Sequence, residues 1–322
     1  MKRLLDSVAR CRWALPALVA AGFAFALACE YFPVLNDYSK VVLVTVGINI
    51  ILCASLNLVN GYMGEFSVGH AGFMALGAYA SAIMTTKWLP ASFFELPLGV
   101  LFGGGVAALI GFPLALLSFK TRGDYLAIIT LAFLMIVKSA IENISYVGGP
   151  RGMTPPVLTT LPWTFFWVVV TLWVIRNLVY SKFGRAITAI REDEIAANAI
   201  GVRVREAKIL AFVTSSFFGG VAGSLYAQVN FFIDPKSFDI VKSTEILVMV
   251  YLGGIASLGG SIIGAVIFTV LLQVLQPLGT WRMVILPLIL VLLMLFRPRG
   301  IMGMRELPWF LPARELFKRP KP

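Results

Sequence analysis

Three stretches of this chain carry residue types whose spacing could do chemistry. In Asn60–Tyr79, NGYMGEFSVGHAGFMALGAY, an acid (Glu65), a hydroxyl (Ser67) and the only histidine (His70) stand among Gly61, Gly64, Gly69, Gly72 and Gly77. In Tyr251–Ala265, YLGGIASLGGSIIGA, Gly253, Gly254, Gly259, Gly260 and Gly264 surround small and hydroxyl residues. In Ser181–Lys208, SKFGRAITAIREDEIAANAIGVRVREAK, a run of charge (Arg185, Arg191, Glu192, Asp193, Glu194) leads into Ala196, Ala197 and Gly201.

Each stretch admits a working reading and a plain one. Glycine-broken backbone inside a bilayer is tolerated where it is buried in protein or lines a water-filled cavity, and two such breaks in one chain point to a transport site. The plain reading is close helix packing through small residues, and Gly99 with Gly103 and Gly219 with Gly223 are read that way. His70 would have to carry any histidine-based proton relay, but a hydrogen-bonded histidine between helices is the simpler reading. Glu65 is a functional-site candidate as an intramembrane acid, although a position at the membrane boundary would make it inexpensive. In the charged stretch, Asp193 is placed to cap a short helix. Ile195, Ala199 and Ile200 would form an apolar strip on it, and Gly201 would end it. Such a helix suits docking into a groove of another protein, with small Ala196 and Ala197 allowing close approach. The competing reading is an ordinary solvated helix between spans. Cys11, Cys29 and Cys53 have no metal-like spacing and are read as small core hydrophobes. No G-x-x-x-x-G-K-[ST] is present, so a phosphate-cradling loop of the usual kind is absent. No cofactor or metal is implied.

The elements that position these stretches are membrane spans. The 322 residues are 59% hydrophobic and 13% charged, against roughly 25% charged residues in soluble domains. The sequence therefore predicts an all-α, polytopic transmembrane bundle in a single domain over residues 1–322. A span needs about 20 apolar residues. Candidates are Ala14–Phe32, Val41–Val59, Phe66–Thr86, Leu96–Phe119, Tyr125–Ile144, Trp163–Tyr180, Ile209–Val229, Thr244–Leu258, Ile262–Leu275 and Met283–Phe296, about ten in all, with the eighth and ninth short and interrupted by glycine. The start, with its long charged leader (1–13), is read as leading into a retained first span rather than a cleaved signal.

The net charge of +11 is distributed as a topology signal, not as a nucleic-acid footprint. With ten spans and an inside start, the inside segments hold Lys2, Arg3, Arg10, Arg12, Lys120 and Arg122. They also hold Lys182, Arg185, Arg191, Arg203, Arg205, Lys208 and the tail 297–322. Outside segments keep scattered Lys40, Lys87, Arg151, Lys236, Lys242 and Arg282. This bias predicts cytoplasmic termini and a cytoplasmic 181–208 loop. The outer loop Val147–Leu161 is expected to be an irregular cap, and Lys138 and Glu142, four apart, to neutralise one another.

The charged loop runs on into ILAFVTSSFFGGVAGSLYA, preceded upstream by GYMGEFSVGHAGFMALGAY, DYLAIITLAF and GGPRGM, and followed by ILVMVYLGGIASLGGSIIGAVIF. Together these resemble the branched-chain amino acid ABC transporter permease family, the LivM-type membrane subunit in particular, from about Val41 to Arg299. The resemblance implies a permease paired with a second, nonidentical membrane subunit in the bacterial inner membrane. Two cytoplasmic ABC ATPases would drive it, and a periplasmic amino-acid-binding protein would supply it. It makes Ser181–Lys208 the ATPase-coupling loop. The family pattern there is Glu-Ala-Ala, three residues, then Gly; Ala196, Ala197 and Gly201 match, while Ile195 stands at the Glu position and Glu194 one residue earlier. Gly61, Glu65, Ser67, Gly69, His70, Gly72, Gly253, Gly254, Gly259 and Gly260 become candidates for the translocation path, where freed backbone groups could meet a zwitterion. The same kind of permease for urea, short amides or another small solute is the nearest alternative. A secondary transporter would want more intramembrane acids, and a membrane enzyme clustered His, Asp or Cys.

Overall fold

The computed structural model describes residues 14–31, 36–88, 94–119, 125–296, 300–303 and 306. The leader 1–13, the basic residues at 120 and 122 and most of the tail 297–322 lie outside them.

Helices account for the architecture. They are α1 (Ala14–Tyr31), α2 (Asp37–Asn57), α3 (His70–Ile83), α4 (Glu95–Ser118), α5 (Tyr125–Asn143) and α6 (Leu161–Val179). Two helices of the charged loop follow, α7 (Lys182–Glu192) and α8 (Glu194–Ala199). Then come α9 (Val204–Ala227), α10 (Ile240–Gly253), α11 (Leu258–Leu275) and α12 (Arg282–Phe296). Among the described residues, six helical segments are long and apolar enough to cross a bilayer: Asp37–Met63, Glu95–Ser118, Tyr125–Asn143, Leu161–Val179, Val204–Ala227 and Leu258–Leu275. The other four predicted spans fall on α1, α3, α10 and α12, of which α1 is an apolar helix of 18 residues and α12 has 15. Of these, α10 has 14 residues, about 21 Å at 1.5 Å per residue, and cannot cross alone, whereas the 14 residues of α3 run on into a π-helical stretch, Met84–Trp88.

Helices α2 and α9 form the centre of the bundle, with α9 packed on α2, α3 and α4. Small residues make this closeness possible. A Cβ on Gly223 would fall on the Met74 carbonyl, one on Gly77 on the Gly220 carbonyl, and one on Gly103 on Ser224. Of the glycine pairs assigned to packing, Gly103 and Gly223 sit at backbone-to-backbone crossings, while Gly99 faces the side chains of Thr85, Gln228 and Ser81 and Gly219 those of His70 and Phe73; dispersion contact there does the work that water exclusion does elsewhere. Ser224 adds a hydrogen bond across the crossing, its Oγ lying 3.1 Å from the Gly77 carbonyl.

At the end of the bundle away from α7 and α8, the chain between α5 and α6 forms two 3-10 turns, Ser145–Val147 and Gly149–Arg151. An antiparallel bridge then pairs Met153 with Ile233. Leu158 and Thr159 donate their N–H groups to the Gln228 carbonyl just past α9. The glycines and prolines there make an irregular cap, tied down by hydrogen bonds. Lys138 and Glu142 do not form the expected pair: among the described residues no ion pair joins them. Lys242, placed near a span end, pairs instead with Glu245 three residues on, at 3.0 Å.

Candidate functional site

The site begins where α2 loses its regular form. Its last turn, Leu58–Met63, is a π-helix, and Gly64 ends it in the left-handed region at φ 78°, a conformation that costs glycine nothing. The backbone then runs without helix to Gly69. Asn60 fixes this bend: its Oδ1 accepts from Ser67 N–H (3.1 Å) and its Nδ2 donates to the Ser67 carbonyl (3.2 Å). The start of α3 is satisfied by neighbouring helices, since Val68 N–H reaches Thr130 Oγ1 and Ala71 N–H reaches Ser243 Oγ. Gly69 and Gly72 lie against α5, where a Cβ would meet the Thr130 carbonyl and the Phe133 ring. His70 is buried, 2.8 Å from Ser55 Oγ on α2 and edge-on to Phe73. Ser215 of α9 completes that contact by donating to the Ser55 carbonyl at 2.6 Å. His70 is therefore a helix-bridging histidine.

The second glycine segment meets the first directly. The buried side chain of Asn57 donates to the Ser257 carbonyl (3.0 Å) and to Ser261 Oγ (2.8 Å), and accepts from Ala256 N–H (2.9 Å). It thereby holds Ala256 at φ 58°, a region that L-residues with a Cβ seldom occupy. A Cβ on Gly61 would fall on both Asn57 and Ala256. Across the break, Gly253 and Gly260 pack backbone to backbone. Gly253, Gly254, Gly259 and Gly260 are all buried within the chain.

The charged loop folds onto the same bend. Ser181 caps α7 by accepting from Phe183 and Gly184 N–H groups, and Gly184, Ile187 and Ile190 form the buried face expected of an amphipathic helix. Asp193 Oδ1 then accepts from Ile195 (2.8 Å) and Ala196 (3.0 Å), capping α8. Gly201, at φ 86°, ends it. Ile195 and Ile200 project outward, 84% and 78% exposed, and Arg185, Glu192 and Ala196 are exposed beside them. Ala197 turns inward instead and is buried in its own chain, so it is a packing residue of the loop and is withdrawn from its outer face.

Two cations join loop to bend. Arg191 donates from Nη1 to the Gly61 carbonyl at 3.2 Å, and its stem lies over Gly64, where a Cβ would collide with it. Arg191 also pairs with Glu192 at 2.6 Å. Lys208, at the start of α9, lies 2.6 Å from Glu65 and 2.9 Å from Glu194, with its ammonium 5.7 Å from the centre of the Phe119 ring. Its side chain is only 8% exposed, so the two carboxylates are what keep it ionised away from water. Gly64, Glu65, Phe66, Arg191, Glu194 and Lys208 border a polar cleft of about 290 Å³. Of the residues expected along the path, Glu65 thus faces open space, while Gly61, Ser67, Gly69, His70 and Gly72 shape the bend behind it. Asn57, Asn60 and Lys208 were not singled out from the sequence as site residues. An asparagine in an apolar helix next to a glycine break was the available signal.

The family model for the permease component of branched-chain amino acid transport systems matches residues 38–296. The chain belongs to that family. Among its relatives, the high-affinity branched-chain amino acid transport system permease protein LivM of Escherichia coli (strain K12) is 33% identical over 293 residues, covering 80% of this chain and 68% of the relative. The probable LivM protein of Methanocaldococcus jannaschii is 26% identical, covering 73% of this chain and 80% of the relative. The high-affinity permease protein LivH of Salmonella typhimurium is 24% identical, covering 82% and 94%. No solved structure matches the chain. As a permease component, the chain is a transport protein and not an enzyme, and its apolar helices make it a multi-pass membrane protein.

Proposed function

We propose that this permease is one membrane-spanning subunit of an ATP-driven ABC importer for branched-chain or other hydrophobic amino acids, and that α7 and α8 form its ATPase-coupling loop. The observation that carries the coupling role is Lys208. One ammonium is bonded both to Glu194 of the loop and to Glu65 of the bend, so a push on α8 is delivered to the irregular backbone between α2 and α3. Arg191 gives a second connection through the Gly61 carbonyl. Ile195 and Ile200 are the apolar contacts offered to the motor, with Arg185, Glu192, Asp193 and Gly201 setting its register. The cargo assignment rests on the names of the LivM and LivH relatives.

In this reading the whole chain is one domain of ten crossings: α1, α2, α3, α4, α5, α6, α9, α10, α11 and α12. The α10 helix is a short crossing completed by the irregular backbone at its end, α3 is extended by the π-helical Met84–Trp88, and the two glycine-broken segments form one unit clamped by Asn57. In this reading both termini and the α7–α8 loop lie in the cytoplasm of a bacterial cell and the protein in its inner membrane, which the distribution of basic residues supports. The partners are a second, nonidentical permease subunit, two cytoplasmic ABC ATPases on which ATP is hydrolysed, and a periplasmic amino-acid-binding protein that selects the cargo. The translocation path runs past Glu65 and Phe66, with the buried glycines supporting the bend.

The test is mild-detergent purification of the tagged chain from its native membrane, followed by reconstitution and leucine uptake. Recovery of a P-loop ATPase and a second permease, with uptake that requires internal ATP, is expected. Uptake by the chain alone in ATP-free vesicles would overturn the reading in favour of a secondary transporter.

A further inference from the structure

Glu306 does something that a residue of a charged tail has no local reason to do. Its carboxylate sits on the first turn of α11, accepting from Leu258 N–H (2.8 Å, Oε2) and Gly259 N–H (2.8 Å, Oε1). Ser257 Oγ lies 3.4 Å from Oε1, and the Tyr62 hydroxyl, on the π-helical turn after α2, donates to Oε2 at 3.1 Å. Every helix starts with N–H groups that lack an intrahelical partner. Here Glu306 takes those of Leu258 and Gly259, and Ser257 Oγ takes that of Gly260 at 3.0 Å. A carboxylate is the favoured charge at this end of the helix dipole. The same tail segment closes the other side of the break. Ile301 N–H reaches the Leu252 carbonyl (2.9 Å) and Met302 N–H the Gly253 carbonyl (3.0 Å), which are among the last carbonyls of α10.

Ile301, Met302 and Glu306 therefore cap both helix ends that meet at the glycine break, and Tyr62 ties that cap to the bend that carries Glu65. We infer that Glu306 is a positioning residue for transport: it fixes the α10–α11 break against the π-helical turn of α2, so that movement of the coupled bend and of the break occurs as one step. The inference rests on the importer reading above. It assigns to the tail a part in coupling distinct from ATPase docking on α8, since the bonds of Glu306 described above go to the start of α11 and to Tyr62.

The experiment uses the full complex, reconstituted in proteoliposomes with its ATPases and binding protein, and reads ATP hydrolysis and leucine uptake on the same preparation. Removing one link of a connected network of this kind alters coupling severalfold or more. Glu306→Gln is accordingly expected to keep ATPase association and hydrolysis within about twofold while uptake per ATP falls about tenfold. Tyr62→Phe removes one donor and should lower uptake per ATP by about two- to threefold, with the double variant no worse than Glu306→Gln alone. Unchanged uptake per ATP in Glu306→Gln overturns the inference. So does a parallel fall of hydrolysis and uptake, which is the mark of a purely structural cap. If Glu306→Gln does not assemble, Tyr62→Phe decides by the same ratio. A wild-type complex without ATP-driven uptake would instead sink the importer reading, before any variant is compared.

Discussion

At the scale of single residues, the bend and the break are held by polar side chains buried among apolar helices, and each is there because irregular backbone leaves groups to satisfy. Asn57 serves two acceptors and one donor on residues about 200 positions away. Asn57→Ala strands the Ala256 N–H, removing the bond that steadies its left-handed backbone, and takes a donor from the Ser257 carbonyl and Ser261 Oγ, which keep their bond to one another. Each stranded buried group costs roughly 1–3 kcal/mol, so a loss of about 3 kcal/mol is expected, read as a lower melting temperature of the detergent-solubilised protein; an unchanged melt would show that the break is held by packing alone. Lys208 is the second such residue. Removing one partner of a buried ion pair costs about 3–5 kcal/mol, and the half-exposed Glu194 brings the value to the low end. Lys208→Met should therefore reduce both stability and uptake, whereas Lys208→Arg retains most of each; equal behaviour of the two variants would show that the charge is immaterial. The sequence shows Asn57 and Lys208 as polar residues at span ends, but nothing local to either says which distant group it meets.

At the scale of elements, legibility followed periodicity and capping. Long apolar runs announced α2, α4, α5, α6 and α9, and Asp193 and Gly201 announced the two ends of α8, because those signals are written within a few residues of the feature. The glycines were harder. A glycine in an apolar run is compatible with a path-lining backbone or with a close crossing, and only the three-dimensional neighbour decides. Gly69 and Gly72 rest on α5, and Gly253 rests on Gly260. The crossing of α3 with α9 provides a direct measurement. Gly223→Val would push α9 off the Met74 carbonyl and should cost at least about 2 kcal/mol as overpacking. By contrast, Gly105, on the open side of α4 with nothing within 4 Å of its Cβ position, should gain up to about 1 kcal/mol when changed to Ala. Matched melts of the two variants would refute the backbone-crossing account of α9. Length explains the remaining difference at this scale: α10 reads as a span because apolar sequence continues past Gly253, where the backbone leaves the helix, whereas α3 continues as the π-helical Met84–Trp88.

At the scale of the whole molecule, the exposed strip on α8 is the feature that has no role within one chain. Ile195→Asp combined with Ile200→Asp alters two side chains that are mostly in solvent, and such surface changes move stability by no more than about 0.5 kcal/mol. Under the coupling role proposed for α8, the double variant should insert and melt as wild type yet fail to retain an ATPase in a pull-down. Retention of the ATPase would remove α8 from the docking surface. A charged residue at Ala197, by contrast, should disrupt the loop itself, since that side chain is enclosed.

The hydrogen bonds around Gln228 have a mechanical consequence. Its carbonyl receives Leu158 and Thr159, and its side-chain amide donates to Ser81 at 2.7 Å, so the Ala227 end of α9 is clamped. The opposite end carries Lys208. With 24 residues, α9 is about 36 Å long, a cantilever built in at one end and loaded at the other. A tilt of about 5° about the clamp would sweep Lys208, about 29 Å from it, through about 2.5 Å, enough to part an ammonium from one carboxylate while the helix itself stays intact.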